Sequence, residues 1–163
     1  MSYSRGTLLF LAVGTAVCIA VLYWLGVPLK GTQTGNNLQR ISDPTEVRSI
    51  IDSWKSHNSR DVTAYAFAGV AFDTVAFIPF YSLLFFVGIS RLPAPWKHLA
   101  VVGLIAGAFD LAENIGILVE IAGNVTVAAA TVAFSKAKWG AILGSIAVWV
   151  IGALVARFQR QTS

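Results

Sequence analysis

The sequence predicts an all-α integral membrane protein, a four-helix bundle with a short interfacial helix in its first loop. Three observations predict it. Of the 163 residues, 56% are hydrophobic and 12% charged, against roughly 25% charged in an average soluble domain. Four long stretches carry almost no charge, and a hydrocarbon core of about 30 Å needs about 20 residues of helix to cross it. The segment joining the first two stretches is polar, and a helix-start signal lies within it. The chain therefore reads as a single four-span membrane domain covering residues 1–163.

The first span is expected near residues 7–27, inside a charge-free run from Gly6 to Leu29. That run is too long for a signal peptide, and "LYWLGVPLK" offers no small-residue cleavage site, so an uncleaved helix is expected. Cys18, the only cysteine, lies mid-span and reads as packing. "GTQTGNNLQR" is a loop of turn formers. In "SDPTEVRSIIDSWKSHN", Asp43 can cap a helix with Pro44 at its first position and Glu46 at its third. A loop helix over 44–56 follows, with Val47, Ile50, Ile51 and Trp54 on one apolar face. That face belongs over the bundle mouth, or on a lid above a lateral opening.

The second span is expected over 64–89, where Asp73 is the only charge and Pro79 should curve the helix and free a carbonyl near residue 75. The third is expected over 98–122, with acids but no base, and the fourth over 138–157. Between them "GNVTVAAATVAFSKAKWG" is too apolar for a free loop and reads as a short interfacial or re-entrant helix. Asn124-Val125-Thr126 matches a glycosylation pattern but lies too near the bilayer to be a good acceptor.

The formal charge is +4, and the basic residues flank spans and loops, which points to lipid headgroups and orientation and not to nucleic acid. Arg5, Arg91, Lys97, Arg157 and Arg160 share one side undiluted by acid. This density in short segments favours both termini in the cytoplasm of a bacterial inner membrane. The other side holds seven bases, five of them in a long loop with Asp43, Glu46, Asp52 and Asp61, and raw counting points the other way. Tyr23, Trp24, Trp96 and Trp139 fall at span ends as interface anchors. His57 and His98 lie at or beyond the surface, so no haem or zinc site is expected.

The chemistry concentrates in "GAFDLAENIGILVEIAG", residues 107–123, which holds Asp110, Glu113 and Glu120 with no Lys or Arg beside them. On a helical wheel at about 100° per residue, Gly103 and Asn114 fall within about 40° of Asp110, with Glu113 and Gly107 about 60° to either side. "GLIAG" on this face and "GAILG" at 140–144 are both GxxxG patterns, and a close helix pair or a homo-oligomer through the glycine faces is expected. Asp73 on the second span and Glu113 on the third both fall about 14 Å from the same surface. Asp73, Asp110, Glu113 and Asn114 should therefore converge, while Glu120 lies near the surface and can snorkel.

A charged Asp at a span centre costs about 2.5–3.5 kcal/mol on insertion scales, so each buried carboxylate needs an offset. A proton, a bound hard cation held by Asp73, Asp110 and Glu113, or a basic side chain would supply it. Lys136 or Lys138 could reach inward if the fourth helix starts earlier, Lys138 being the preferred partner, and Tyr81 is a further hydrogen-bond donor to the site. Glue between helices is the plainer reading, since polar pairs hold membrane helices together at about 0.6 kcal/mol each. Several carboxylates at one depth exceed what glue requires.

"FDTVAFIPFYSLLF", "AGAFDLAENIGIL" and "FSKAKW" together resemble a group of small bacterial multi-pass membrane proteins with aspartate, proline and tyrosine on one span and D-L-x-E-N on the next. The resemblance implies the topology and the choice of Asp73, Asp110, Glu113, Asn114 and Lys138; it implies no reaction. The expected activity is binding of a hydrophobic or amphipathic small molecule, lipid or isoprenoid-like, by Asp73, Asp110, Glu113, Asn114, Tyr81 and Lys138. Alternatives are an acid–base isomerase or cyclase using Asp73, Asp110 and Glu113, an ion or proton pathway, and a structural protein.

Overall fold

The computed structural model describes residues 4–26, 38–56 and 60–161, and every regular element among them is helical. Helix α1 spans Arg5–Gly26. The loop helix α2 spans Pro44–Ser56 and α3 Arg60–Phe72. One π-helical turn, Asp73–Phe77, joins α3 to α4, Ile78–Ser90. A 3-10 turn, Trp96–Ala100, leads into α5, Val101–Ile121. Another, Val125–Val127, opens α6, Ala128–Gln161. Four runs are long and apolar enough to cross a membrane: Arg5–Leu25, Ala66–Ser90, Trp96–Ile121 and Val125–Gln159. The expected all-α bundle of four spans is present, and α2 is the short non-spanning helix in its first loop.

Helix α2 starts where its capping residues place it. Asp43 Oδ1 accepts from the Thr45 amide at 2.8 Å and from the Thr45 hydroxyl at 2.6 Å. These hydrogen bonds hold the Asp43 carboxyl below the usual carboxylate range. Val47, Ile50 and Ile51 are buried against Ile117, Ile121, Val125 and Ala128, so α2 closes the bundle at the first-loop end. The Trp54 side chain, expected on the same face, lies outside the described residues.

Proline acts on the second span through the π-turn. Pro79 has no N–H for the carbonyl of Val75, and its ring crowds the preceding turn. Widening that turn relieves the crowding, and the Ile78 amide bonds Asp73 O, five residues back. The turn that accommodates Pro79 thus begins at the acidic residue of this span.

The fourth helix departs most from expectation. It begins at Ala128, ten residues before the expected 138, and the stretch expected as a separate interfacial or re-entrant helix is its first part. Gly123 at φ +107° ends α5 in a Schellman turn, with Gly123 N bonded to Glu120 O and Asn124 N to Val119 O. Asn124 then caps the new turn, its Oδ1 accepting from Thr126 N and Thr126 Oγ1. Charge-free length marks only the part of a helix that suits hydrocarbon. Helix formers such as the alanines at 128–130 extend the backbone past it.

The glycines also pair differently from expectation. A Cβ on Gly103 would meet Phe85 Cβ at 2.7 Å and Phe86 N at 3.0 Å, and one on Gly107 would run into Ser82. This GxxxG face therefore seats α5 on α4. A Cβ on Gly140 would meet nothing within 4 Å and one on Gly144 would meet only Val102 Cγ1 of α5, at 4.0 Å, so "GAILG" faces α5 at Gly144 alone, without a close backbone approach.

Buried apolar clusters close both ends of the bundle. At the first-loop end are the α2 contacts with Ile117 and Ile121. At the other end Ile89, Leu92 and Ala100 pack with Phe85, Trp96 and Trp149. Between them lie the polar side chains.

Candidate functional site

Helices α4, α5 and α6 and the π-turn converge on one buried polar group. Asp110, Glu113 and Asn114 project from the inward face of α5 and are 2%, 0% and 3% exposed, while Lys138 enters from α6 and is 6% exposed. The Lys138 ammonium stands 3.0 Å from Asp110 Oδ1 and 2.6 Å from Glu113 Oε2. The earlier start of α6 is what allows this, because it carries Lys138 to the mid-depth of α5. The preferred basic partner of the sequence reading is therefore the one in contact.

Each carboxylate has a different environment. Both oxygens of Asp110 are occupied, Oδ1 by Lys138 and Oδ2 by the Tyr81 hydroxyl, which donates at 2.9 Å. Tyr81 is held by its ring between Phe77 and Phe85, at centroid distances of 4.9 and 6.2 Å, so it both packs and donates. Asp73 is half-buried and accepts from Asn114 Nδ2 at 2.7 Å, and the same amide reaches Thr74 Oγ1 at 3.0 Å. Glu113 has the ion-pair contact to Lys138, but neither of its oxygens accepts an aligned hydrogen bond among the described residues. The Ser135 hydroxyl lies beside it without that alignment.

Glu120 is a correction. It was expected to snorkel at the surface, yet it is 0% exposed and its Oε1 accepts from Thr131 Oγ1 at 2.6 Å. Thr131 belongs to the part of α6 that the shorter span omitted, and its side chain packs against the bare backbone of Gly116. The longer helix therefore covers Glu120 before it can reach water. Thr131, Ser135 and Lys138 recur at i, i+4 and i+7, a polar stripe at helical spacing that would have marked both the helix and its inward face.

Two sets of contacts therefore lie side by side along α5: Tyr81–Asp110–Lys138–Glu113, and Asn114 with Asp73 and Thr74. Two carboxylates, Asp110 and Glu113, share one ammonium, with Asp73 on the neighbouring Asn114 amide, so the group holds more acceptors than cationic charge. As a cation cage it is less suited: no set of three His, Cys, Asp or Glu side chains among the described residues is arranged to hold a metal ion. Lys138 occupies the space between Asp110 and Glu113 where a cation would otherwise sit.

Compared with models of known families, with curated proteins and with solved structures, the chain matches none of them. What is established is a small multi-pass helical membrane protein with an intramembrane cluster of carboxylates around a lysine. The resemblance to a bacterial group, read from "FDTVAFIPFYSLLF", "AGAFDLAENIGIL" and "FSKAKW", gains no support from these comparisons.

Proposed function

We propose that this protein binds the polar end of an amphipathic, bilayer-soluble molecule at the Asp110–Lys138–Glu113 group, with Asp73, Asn114 and Tyr81 completing the site. The observation that carries this reading is Glu113, fully buried, whose Oε2 faces the Lys138 ammonium at 2.6 Å while its Oε1 has no aligned donor among the described residues. A buried acceptor left so is costly, and a donor from a ligand hydroxyl or amine removes the cost. The apolar clusters at both ends favour arrival from the side, through the bilayer, past half-buried Asp73. They disfavour an ion or proton path through the long axis. A lipid or isoprenoid-like alcohol or amine fits these demands, and a bacterial inner membrane with both termini cytoplasmic fits the basic residues beside the termini.

Native mass spectrometry of gently solubilised protein, with extraction and metal analysis, tests the reading. One organic adduct per chain is expected, reduced at least tenfold in Glu113→Gln. A bound metal without an organic ligand would sink it in favour of an ion site, and an empty chain in favour of structural acids.

The unequal surroundings of Asp110 and Glu113 favour a second reading. Two carboxyls in different environments can divide into an acid and a base, as an isomerase or cyclase requires. Under that reading Asp110→Asn abolishes turnover of the extracted molecule while still retaining it.

A further inference from the structure

A groove of about 680 Å3 opens on the outer face of α6, where the first loop passes its start. Gln39, Arg40 and Lys136 line one part of it, and Trp139, Gly140 and Leu143 another. Ser135 forms part of the wall and separates the groove from Glu113. Among the described residues no acid lines it.

Its depth follows from its neighbours. Val132 at one end comes directly after Thr131, which packs on Gly116 and bonds Glu120, so this end lies within about two turns of the membrane boundary on the first-loop side. Leu38, packed with Val125 and Ala128, holds the chain just before Arg40 at the same boundary. Val132 to Leu143 covers about 16 Å of helix at 1.5 Å per residue, far enough to pass from headgroups into hydrocarbon. Leu143 is 63% and Trp139 54% exposed, facing where acyl chains lie. The cationic end, with Arg40 near the boundary and the Lys136 stem able to extend toward it, thus continues into an apolar end deeper in the bilayer.

We infer that this groove binds one anionic phospholipid of the leaflet on the first-loop side. Its phosphate sits between Arg40 and Lys136, whose long stems let both charges rise to headgroup level. The Gln39 amide donates to the same headgroup, and the Trp139 ring packs against the lipid below it. An acyl chain lies along Gly140, where the missing side chain leaves the helix surface open, and continues past Leu143. A zwitterionic headgroup is disfavoured, because its ammonium would meet two cations and no acid. This site is distinct from the buried carboxylate group, although Trp139 borders both: Lys136 and Arg40 are exposed, whereas the Lys138 ammonium points inward and lies 5.7 Å from the Trp139 ring centroid.

The test uses the full chain in detergent micelles with phosphatidylglycerol, phosphatidylcholine of the same acyl chains, and inorganic phosphate, each followed by native mass spectrometry. One phosphatidylglycerol per chain is expected, retained at least tenfold more tightly than phosphatidylcholine, with inorganic phosphate failing to displace it at equal concentration. Arg40→Gln/Lys136→Gln should bring phosphatidylglycerol down to the phosphatidylcholine level, while Arg91→Gln, on the opposite side of the membrane, should change nothing. Gly140→Leu keeps every charge, favours the helix and fills the groove, so it should lower retention on its own. Equal retention of the two lipids, or retention unchanged in both the charge and the Gly140→Leu variants, overturns the site. So does displacement by phosphate, or a dimer that Gly140→Leu dissolves while lipid stays bound.

Discussion

Lys138 is the residue on which the buried group depends. It contacts Asp110 and Glu113 at once, so its loss leaves two buried carboxylates facing each other without a cation. Breaking a buried pair from one side costs about 3–5 kcal/mol, whereas replacing the whole group by neutral side chains costs far less. Lys138→Met is accordingly expected to lose about 3 kcal/mol or more in reversible unfolding in mixed micelles. Lys138→Met/Asp110→Asn/Glu113→Gln should recover most of that loss. A single variant as stable as the wild-type chain would show that the ion pair does not hold α5 to α6. Most of this group was legible in the sequence, because Asp110, Glu113 and Asn114 share a helical face and Asp73 matches them in depth. Glu120 was not, since its surroundings are set by Thr131 on another helix.

At the scale of elements, each helix is placed by a local signal, and the errors arise where two signals compete. The Asp43 cap and the apolar face of Val47, Ile50 and Ile51 agree, and α2 lies where both predict. In α6 the polar side chains Ser135, Lys136 and Lys138 interrupt the apolar run without interrupting the helix, so a reading by hydropathy starts the element ten residues late. The GxxxG patterns show a similar limit. A glycine pair marks a bare strip of backbone but does not name the helix that covers it, and here α4 covers Gly103 while Gly140 stays open. This difference is measurable. Gly103→Val places atoms against Phe85 and the α4 backbone, and such overpacking is expected to cost about 1–3 kcal/mol in micelle unfolding. Gly140→Ala meets no neighbour and should be neutral or stabilising by up to about 1 kcal/mol. Equal effects at the two positions would contradict the packing of α5 on α4.

For the whole molecule, four crossings require that both termini lie on one side, with the loop after α1 and the turn after α5 on the other. Which side is which depends on charge density: Arg5, Arg91, Lys97, Arg157 and Arg160 stand without acids, whereas the bases of the first loop are mixed with Asp43, Glu46, Asp52 and Asp61. The proposed cytoplasmic placement of the termini rests on the density of bases in short segments next to the spans, while the plain count of bases favours the other side. Single cysteines at Ser4, Asn124 and Gln161, in a chain with Cys18→Ala, make this arrangement measurable with a membrane-impermeant maleimide on intact cells. Replacing Cys18 removes the only native thiol. Asn124→Cys is expected to label from outside, and Ser4→Cys and Gln161→Cys only after the membrane is opened. The reverse pattern would keep the four-span fold but overturn the cytoplasmic placement of the termini, and the groove at Arg40 and Lys136 would then face the inner leaflet. Labelling of Ser4→Cys and Gln161→Cys from opposite sides would contradict the four-span fold itself.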